Sequence, residues 1–371
     1  MENEFFVDCL GASREVGRSA FMLHTDKNII LDYGVKIFDE SGVPKYPLPD
    51  SLKPDFMILS HAHMDHSGAL PSLYKENKIR WYATPPTKDI CEVLWQDSMK
   101  IMGPELPYNL SHYNKALKYW SPFLYNQTMH TGQTSIRLTD GGHISGSSMV
   151  DIEYKNKRFF YTGDFKCEDT YMHKGAKTVK DVDILMMEST YAKKDHPPRQ
   201  ETERRFMEEI ETTIEDGGNV LLPSFALGRT QELISIIRSH NREVPVFVDG
   251  MGRTLSQIYL KHPQYIRDAQ QFRKHAGSVT MVGGPGDRRA ATRKPSVIIS
   301  SAGMMNGGPV LQYLFNLNDR SKIIFTGYCV EGTNGWKLQN HGYITKDEQD
   351  LHVDLPIEYM DFSAHAGRSD I

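Results

Sequence analysis

Ile58-Leu59-Ser60-His61-Ala62-His63-Met64-Asp65-His66-Ser67-Gly68 is the stretch from which the rest of this 371-residue chain can be read. Three imidazoles and one carboxylate fall within six positions, directly after Phe56-Met57-Ile58-Leu59, which has the composition of a buried strand. On an extended segment side chains two apart share a face. His61 and His63 therefore project together, while Asp65 and His66 follow round a turn toward a second position. One stretch can thus serve two ions. Neutral imidazole nitrogen and carboxylate oxygen are donors that zinc takes in hydrolases, and paired ions can share one nucleophile. The alternative is a polar loop of solvated histidines, against which stand the scarcity of histidine and the abutting apolar strand.

Working outward, the same chemistry recurs at strand ends. Upstream, Phe5-Phe6-Val7, Ala20-Phe21-Met22-Leu23 and Ile29-Ile30-Leu31 read as strands, the last running into Asp32-Tyr33-Gly34. Downstream, strand signals at Thr134 to Leu138 lead into Asp140-Gly141-Gly142-His143, where glycines let the backbone crowd a metal. Phe159-Phe160-Tyr161-Thr162-Gly163-Asp164 and Asp183-Ile184-Leu185-Met186-Met187-Glu188 each read as a strand ending in an acid. An acid so placed can hold a histidine in one tautomer; for Asp32 a turn cap, and for Glu188 a strand-end polar residue, are the plain alternatives. Between Pro71 and Tyr125 the spacing in Thr87 to Trp95 predicts mainly helix, and Trp81, Trp95 and Trp120 read as packing residues.

After Tyr191 the texture changes. Lys193-Lys194-Asp195-His196-Pro197-Pro198-Arg199 reads as a linker, followed by a helix with Phe206, Ile210 and Ile214 at four-residue intervals. Strand signals at 219–223, 244–249, 296–300 and 322–328 then alternate with helical ones such as 229–239, the rhythm of a largely parallel α/β sheet. Two of its turns suit phosphate. Pro223-Ser224-Phe225-Ala226-Leu227-Gly228-Arg229 precedes a helix, so N–H groups and the Ser224 hydroxyl can face an anion. Ser300-Ser301-Ala302-Gly303 opens a second small-residue turn. Each by itself reads more readily as an ordinary turn. The basic run Asp287 to Lys294 is either a guide for a nucleic-acid backbone or a solvated loop.

With a net charge of −4, the chain exerts no global attraction on phosphates, so any nucleic-acid binding must come from local patches and metal ions. The 39% hydrophobic and 24% charged content is that of a soluble globular protein, and the length allows two or three domains. Cys9, Cys91, Cys167 and Cys329 form no C-x-x-C pair, as in a reduced cytosolic protein. Acidic Glu2 and Glu4 precede any apolar run, and no stretch approaches the roughly 20 apolar residues of a span. A cytoplasmic location off the membrane is expected.

The run His61-Ala62-His63-Met64-Asp65-His66 resembles the metal signature of the metallo-β-lactamase superfamily, and the His143 and Asp164 segments resemble its further metal motifs. Glu188-Ser189-Thr190-Tyr191 and Asp361-Phe362-Ser363-Ala364-His365 resemble motifs of its nucleic-acid-cutting β-CASP branch. The closest likeness is to the cleavage and polyadenylation specificity factor nucleases and their compact prokaryotic relatives, with ribonuclease J further off. The resemblance covers essentially the whole chain. It implies an α/β architecture: a metallo-β-lactamase αββα sandwich in 1–192, an inserted β-CASP domain in 193–357, and a return to the first domain in 358–371, with the active site in the cleft between them.

The resemblance also implies roles. His61, His63 and His143 hold one zinc ion, Asp65 and His66 a second, and Asp164 both, with Asp65 counted in the catalytic apparatus too. Asp32 orients the metal-bearing loop. Glu188 holds His365, the general acid, while a hydroxide shared by the ions attacks a phosphodiester of single-stranded RNA, in 5′-to-3′ exonuclease mode, endonuclease mode or both. Ser224, Arg229, Ser301 and Gly303 face the RNA. The family's last histidine, in a Val-His-Gly motif, has no counterpart in this sequence, so the second zinc's ligand set is expected to be one short; the resemblance leaves open a homodimer through a C-terminal segment that is likewise missing here. Two alternatives remain open: a thioester or lactam hydrolase on the same metal fold, and a catalytically inactive RNA-binding subunit.

Overall fold

The computed structural model describes residues 5–37, 43–48 and 53–371, so Glu2 and Glu4 lie outside the described residues. Among these residues no helix is long and apolar enough to cross a membrane. Contacts divide the chain into two compact units. The first comprises Met1–Asp169, Lys174–Ala192 and His365–Ile371, the second Thr170–His173 and Lys193–Ala364.

The first unit is built on two sheets. One runs β1 (Phe6–Cys9), β2 (Ala20–His24), β3 (Asn28–Tyr33), β4 (Phe56–Ile58), β5 (Arg80–Ala83) and β6 (Trp120–Pro122) in spatial as in chain order. It is antiparallel as far as β3 and parallel beyond. The other pairs β7 (Thr128–Thr131), β8 (Thr134–Asp140), β9 (Ser148–Tyr154), β10 (Lys157–Tyr161) and β11 (Ile184–Met186), antiparallel except at β10–β11. Their facing sides interlock: Leu23, Ile29, Leu31, Phe56 and Ile58 from one sheet pack with Ile136, Leu138, Val150, Ile152 and Phe159 from the other. A short helix α1 (Met64–Ser67) follows β4; α2 (Pro85–Met102) and α3 (Leu110–Tyr119) cover the outer face of the first sheet. There Trp81 and Trp95 are fully buried, with indole N–H groups donating to Ala116 O (2.7 Å) and Ser67 O (3.0 Å), which makes both packing residues. On the outer side of the second sheet Met149, Phe160 and Phe165 pack with Cys167, Val179, Val182 and Ala366 from irregular segments, so the described residues form the α, β and β layers of the sandwich.

The second unit opens with α4 (Arg199–Glu215), whose buried Phe206 and Ile210 explain its four-residue spacing. Its sheet is parallel throughout, in the order β14 (Thr280–Met281), β13 (Val246–Asp249), β15 (Val297–Ser300), β12 (Val220–Pro223), β16 (Lys322–Phe325) and β19 (Ile357–Tyr359). α5 (Arg229–His240), α6 (Gly252–Lys261), α7 (Ala269–Gly277), α8 (Pro285–Arg293), α9 (Val310–Leu314) and α10 (Asn334–His341) alternate with these strands, and β17 (Tyr343–Lys346) and β18 (Gln349–His352) form a separate hairpin. The central strands read as unbroken apolar runs because helices on both faces leave them no solvent side.

Two expectations need correction here. The basic run Asp287 to Lys294 is not a loop: Pro285 starts α8, Ala291 is buried, and Arg288 is bonded to the buried carboxylate of Asp249 at 2.6 Å. Residues 358–364 sit in the second unit, since β19 pairs with β16 and its register carries the chain on to Met360 N–H donating to Phe325 O.

The first unit's second sheet also carries an ion cluster around one buried carboxylate. Asp151 is buried on β9 and accepts from Arg137 Nη2 (2.9 Å) and from Arg158 Nε and Nη2 (both 2.8 Å). Burial opposes its charge, but these bonds hold its carboxyl below the usual range. A lowered folded-state pKa contributes stability above the unfolded value and loses it as pH falls through the folded value. Asp151→Asn is therefore expected to cost about 1–3 kcal/mol in denaturant melts at neutral pH, with the difference from wild type shrinking below about pH 4.

Candidate metal centre

The site begins at the end of β3. Asp32 is fully buried with φ +58, a left-handed backbone that Asp tolerates better than most residues. Its carboxylate accepts four bonds: from Ser60 N–H (2.6 Å), Ser60 Oγ (2.6 Å), His66 Nδ1 (2.7 Å) and Tyr161 Oη (2.7 Å). The 58–68 stretch is thereby tied at both ends of its turn, and Tyr161 ties it to the second sheet. Gly34 sets how closely β3 approaches α1: a Cβ there would lie 1.7 Å from Asp65 O and 2.6 Å from His66 N. Gly142, at φ +67, lets the turn before His143 press against Lys166 O and Lys174 O, 2.7 and 2.8 Å from where a Cβ would stand.

Two tautomers follow from these bonds. The Ser60 hydroxyl spends its only proton on Asp32, so His61 Nδ1, 3.0 Å away, donates to Ser60 Oγ and leaves Nε2 with a lone pair. His66 Nδ1 likewise donates to Asp32, which turns its Nε2 toward the site.

Those nitrogens converge with others. His63 Nδ1 is 3.2 Å from His61 Nε2 and 3.0 Å from His143 Nε2, and Asp164 Oδ2 is 3.5 Å from His61 Nε2 and 3.7 Å from His143 Nε2. A tetrahedral ion with bonds of about 2.0–2.2 Å needs donors roughly 3.3–3.6 Å apart, so this set fits zinc. Asp164 Oδ1 turns the other way, 3.3 Å from His66 Nε2, and Asp65 Oδ2 lies 3.8 Å from the same nitrogen. The sets His61, His63, His143, Asp164 and Asp65, His66, Asp164 share one carboxylate through different oxygens. The donor chemistry suits two cations.

The electrostatics show what competes with them. Burial and neighbouring imidazoles hold His63 and His143 well below the usual histidine pKa, the neutral form a metal requires. For His66 burial opposes charge but is outweighed by Asp164 and Asp65, and it is held well above the usual value. Burial also opposes the charge of Asp164; His66 and His365 outweigh it and keep the carboxyl well below its usual range. An imidazolium at His66 and a cation in the second set are thus rivals for the same two carboxylates.

His365 lies at the rim of this cluster, with its Nδ1 2.9 and 3.0 Å from the two oxygens of Glu188 and its ring centroid 4.7 Å from that of His143. Glu188 Oε1 also accepts Phe165 N–H at 3.0 Å, which fixes the carboxylate just past β11. Burial disfavours charge on His365, but Glu188 and then Asp164 raise its pKa to about 9. Ser60 and Tyr161, which sequence reasoning passed over, are what hold Asp32; a serine beside the first histidine was the available signal, whereas Tyr161 gave none.

In the second unit the two turns expected to face an anion adjoin each other: a Cβ on Gly303 would lie 2.9 Å from Phe225 N. Ser224 is a correction. Its hydroxyl is fully buried and engages Phe225 O and Thr230 Oγ1, both at 3.2 Å, closing its own turn rather than facing a ligand. Arg229 opens α5; burial opposes the charge of Asp361, but His196, then Ser363 N–H and Arg229, hold its carboxyl below the usual range, while Ser301 Oγ packs against Gly250, 2.0 Å from where a Cβ would be.

Comparison with known proteins places the chain in a family. The Beta-Casp domain pattern matches residues 230–338 and the Beta-lactamase superfamily domain pattern residues 27–217. A Saccharolobus solfataricus protein named RNase aCSPSF2 is 35% identical over 372 residues, covering 98% of this chain and 75% of that protein. The chain belongs to the β-CASP branch of the metallo-β-lactamase superfamily. A Methanocaldococcus jannaschii protein named Probable RNase MJ4 is 35% identical to this β-CASP chain, covering 97% of it and 88% of the relative. The transcription termination factor FttA of Methanothermobacter thermautotrophicus is 33% identical, with 97% of this chain and 63% of that protein covered. A crystal structure of an Enterococcus faecalis protein of unknown function shares the fold, with a TM-score of 0.62 at 14% identity over 98% of this chain and 89% of that one.

Gly34→Ala tests how the site is framed. The substitution is expected to cost about 1–3 kcal/mol by overpacking and to lower bound metal measured by elemental analysis. Gly284→Ala, where a Cβ would meet nothing within 4 Å, is expected to leave both unchanged.

Proposed function

We propose that this β-CASP chain is a metal-dependent ribonuclease that hydrolyses phosphodiester bonds of single-stranded RNA. The observation that carries the reading is the junction of two donor sets on Asp164 with the Glu188–His365 pair beside them, 3.9 Å from His365 Nδ1 to Asp164 Oδ2. Relatives named as ribonucleases add the substrate class. His61, His63, His143 and Asp164 would hold one zinc, and Asp65, His66 and Asp164 a second. Bound there, the cations supply a nucleophile at neutral pH and neutralise charge on the phosphate.

The chain's own residues do the rest. Asp32 keeps His66 in the tautomer that points Nε2 inward, and through Ser60 it does the same for His61. Glu188 anchors His365 through Nδ1, so the opposite edge of the ring is the one oriented for proton transfer. A proton held at His365 at neutral pH is available to the departing oxygen, the step that positioned acids accelerate. Glu188 contributes more to that charge than Asp164 does and is hydrogen-bonded to the ring, which makes it the acid's main counter-ion.

Two measurements check this. Zinc-loaded protein is expected to cut end-labelled single-stranded RNA and to stop in chelator, with activity restored by added zinc; intact RNA in the loaded sample would overturn the reading. His365→Ala is expected to lower kcat by about 10²- to 10⁴-fold with zinc content unchanged, whereas Asp164→Asn is expected to lose both metal and activity.

A further inference from the structure

The sheet of the second unit reverses its direction of growth at β12. After β12 the chain adds β13 and β14 on one side, then returns through β15 and adds β16 and β19 on the other. Open parallel sheets bind ligands outside the carboxyl ends of the strands at such a reversal. At this place the surface carries aromatic rings. Phe225, two residues beyond β12, is 37% exposed in a turn where Ser224 and Leu227 are buried. Its ring lies against residues without side chains: a Cβ on Gly303 would be 3.4 Å from Phe225 Cδ2, and one on Gly327 3.3 Å from Cε2. The same Gly327 position is 3.6 Å from Arg229 Nη1. Tyr328, next along the chain beyond β16, is 60% exposed.

A single exposed ring is ordinary on a protein surface. Two exposed rings at the carboxyl ends of neighbouring strands, one packed against the glycine that precedes the other in the chain and with Arg229 close to that glycine, have the chemistry of a surface that stacks unpaired bases. Every base offers a π-face, and a cation close by attracts it and its phosphate. At Gly303 and Gly327 the backbone beside the Phe225 ring carries no side chain to crowd it.

We propose that Phe225 and Tyr328 form a nucleobase-stacking pair that holds single-stranded RNA on the second unit, a proposal that rests on the ribonuclease reading. Stacking supplies affinity without reading base edges, so the pair is tolerant of sequence and does not engage paired bases. Ser224, whose hydroxyl closes its own turn, is not required for it.

The test uses the full zinc-loaded chain and a short fluorescent single-stranded RNA, with a parallel strand of abasic nucleotides. Binding is measured in a His365→Ala background and cleavage in the native one. Phe225→Leu and Tyr328→Leu are each expected to weaken binding to the RNA about 5- to 100-fold, with no effect on the abasic strand and unchanged zinc content. Phe225→Trp and Tyr328→Phe, which keep the π-face, are expected to bind like the parent and serve as controls for folding. Leucine variants that bind as tightly as the parent, in a protein that cuts RNA, overturn the stacking pair and leave the ribonuclease reading standing. Equal weakening on the abasic strand overturns it too, since the contact would then be to the backbone. A native chain that neither binds nor cuts the RNA overturns the ribonuclease reading, and the pair falls with it.

Discussion

The first unit depends on a single buried carboxylate. Asp32 has no contact with solvent and accepts four hydrogen bonds, from groups on the metal-bearing stretch and on the opposite sheet. A carboxylate buried without such donors would cost far more than the fold can carry. The same bonds that make its charge tolerable also fix the turn from Ser60 to His66 and the tautomers of two histidines. Stability of the core and orientation of the donors are here one interaction.

Around it the structure concentrates groups that do not suit one another. Imidazole nitrogens stand 3.0 and 3.2 Å apart in a buried cluster, and one proton on His63 can serve only one of its two neighbours at a time. Asp164 is charged there against its desolvation because His66 and His365 face it. A cation among the nitrogens satisfies all of them together, which is why such geometry is typical of a functional site rather than of a structural core. The cost is met by the rigid frame of two packed sheets, in which Gly34 and Gly142 permit the close approaches.

Much of this was legible in the chain because the signals are local. Histidines two and three apart after an apolar run, glycines before His143, and acids at the ends of strands all report their chemistry within a few residues. The alternation of strands and helices after Pro198 likewise follows from local periodicity, and the resulting sheet is parallel. What local reading missed were features set by partners far along the chain. The run at 287–294 looks like a solvated loop until Asp249 gives Arg288 a partner and Ala291 is covered. Ser224 looks like an anion ligand until Thr230 and Phe225 O take its hydroxyl.

The sequence by itself determined the kinds of donor, their order, and the two-part α/β architecture, since ligand chemistry and strand or helix period are properties of residues and their spacing. Only the tertiary structure decided that Asp164 offers its two oxygens to different donor sets, that Tyr161 completes the shell of Asp32, and that Glu188 meets a histidine 177 positions away. Those are matters of register between strands and of which buried group must satisfy which other, and no window of sequence contains them.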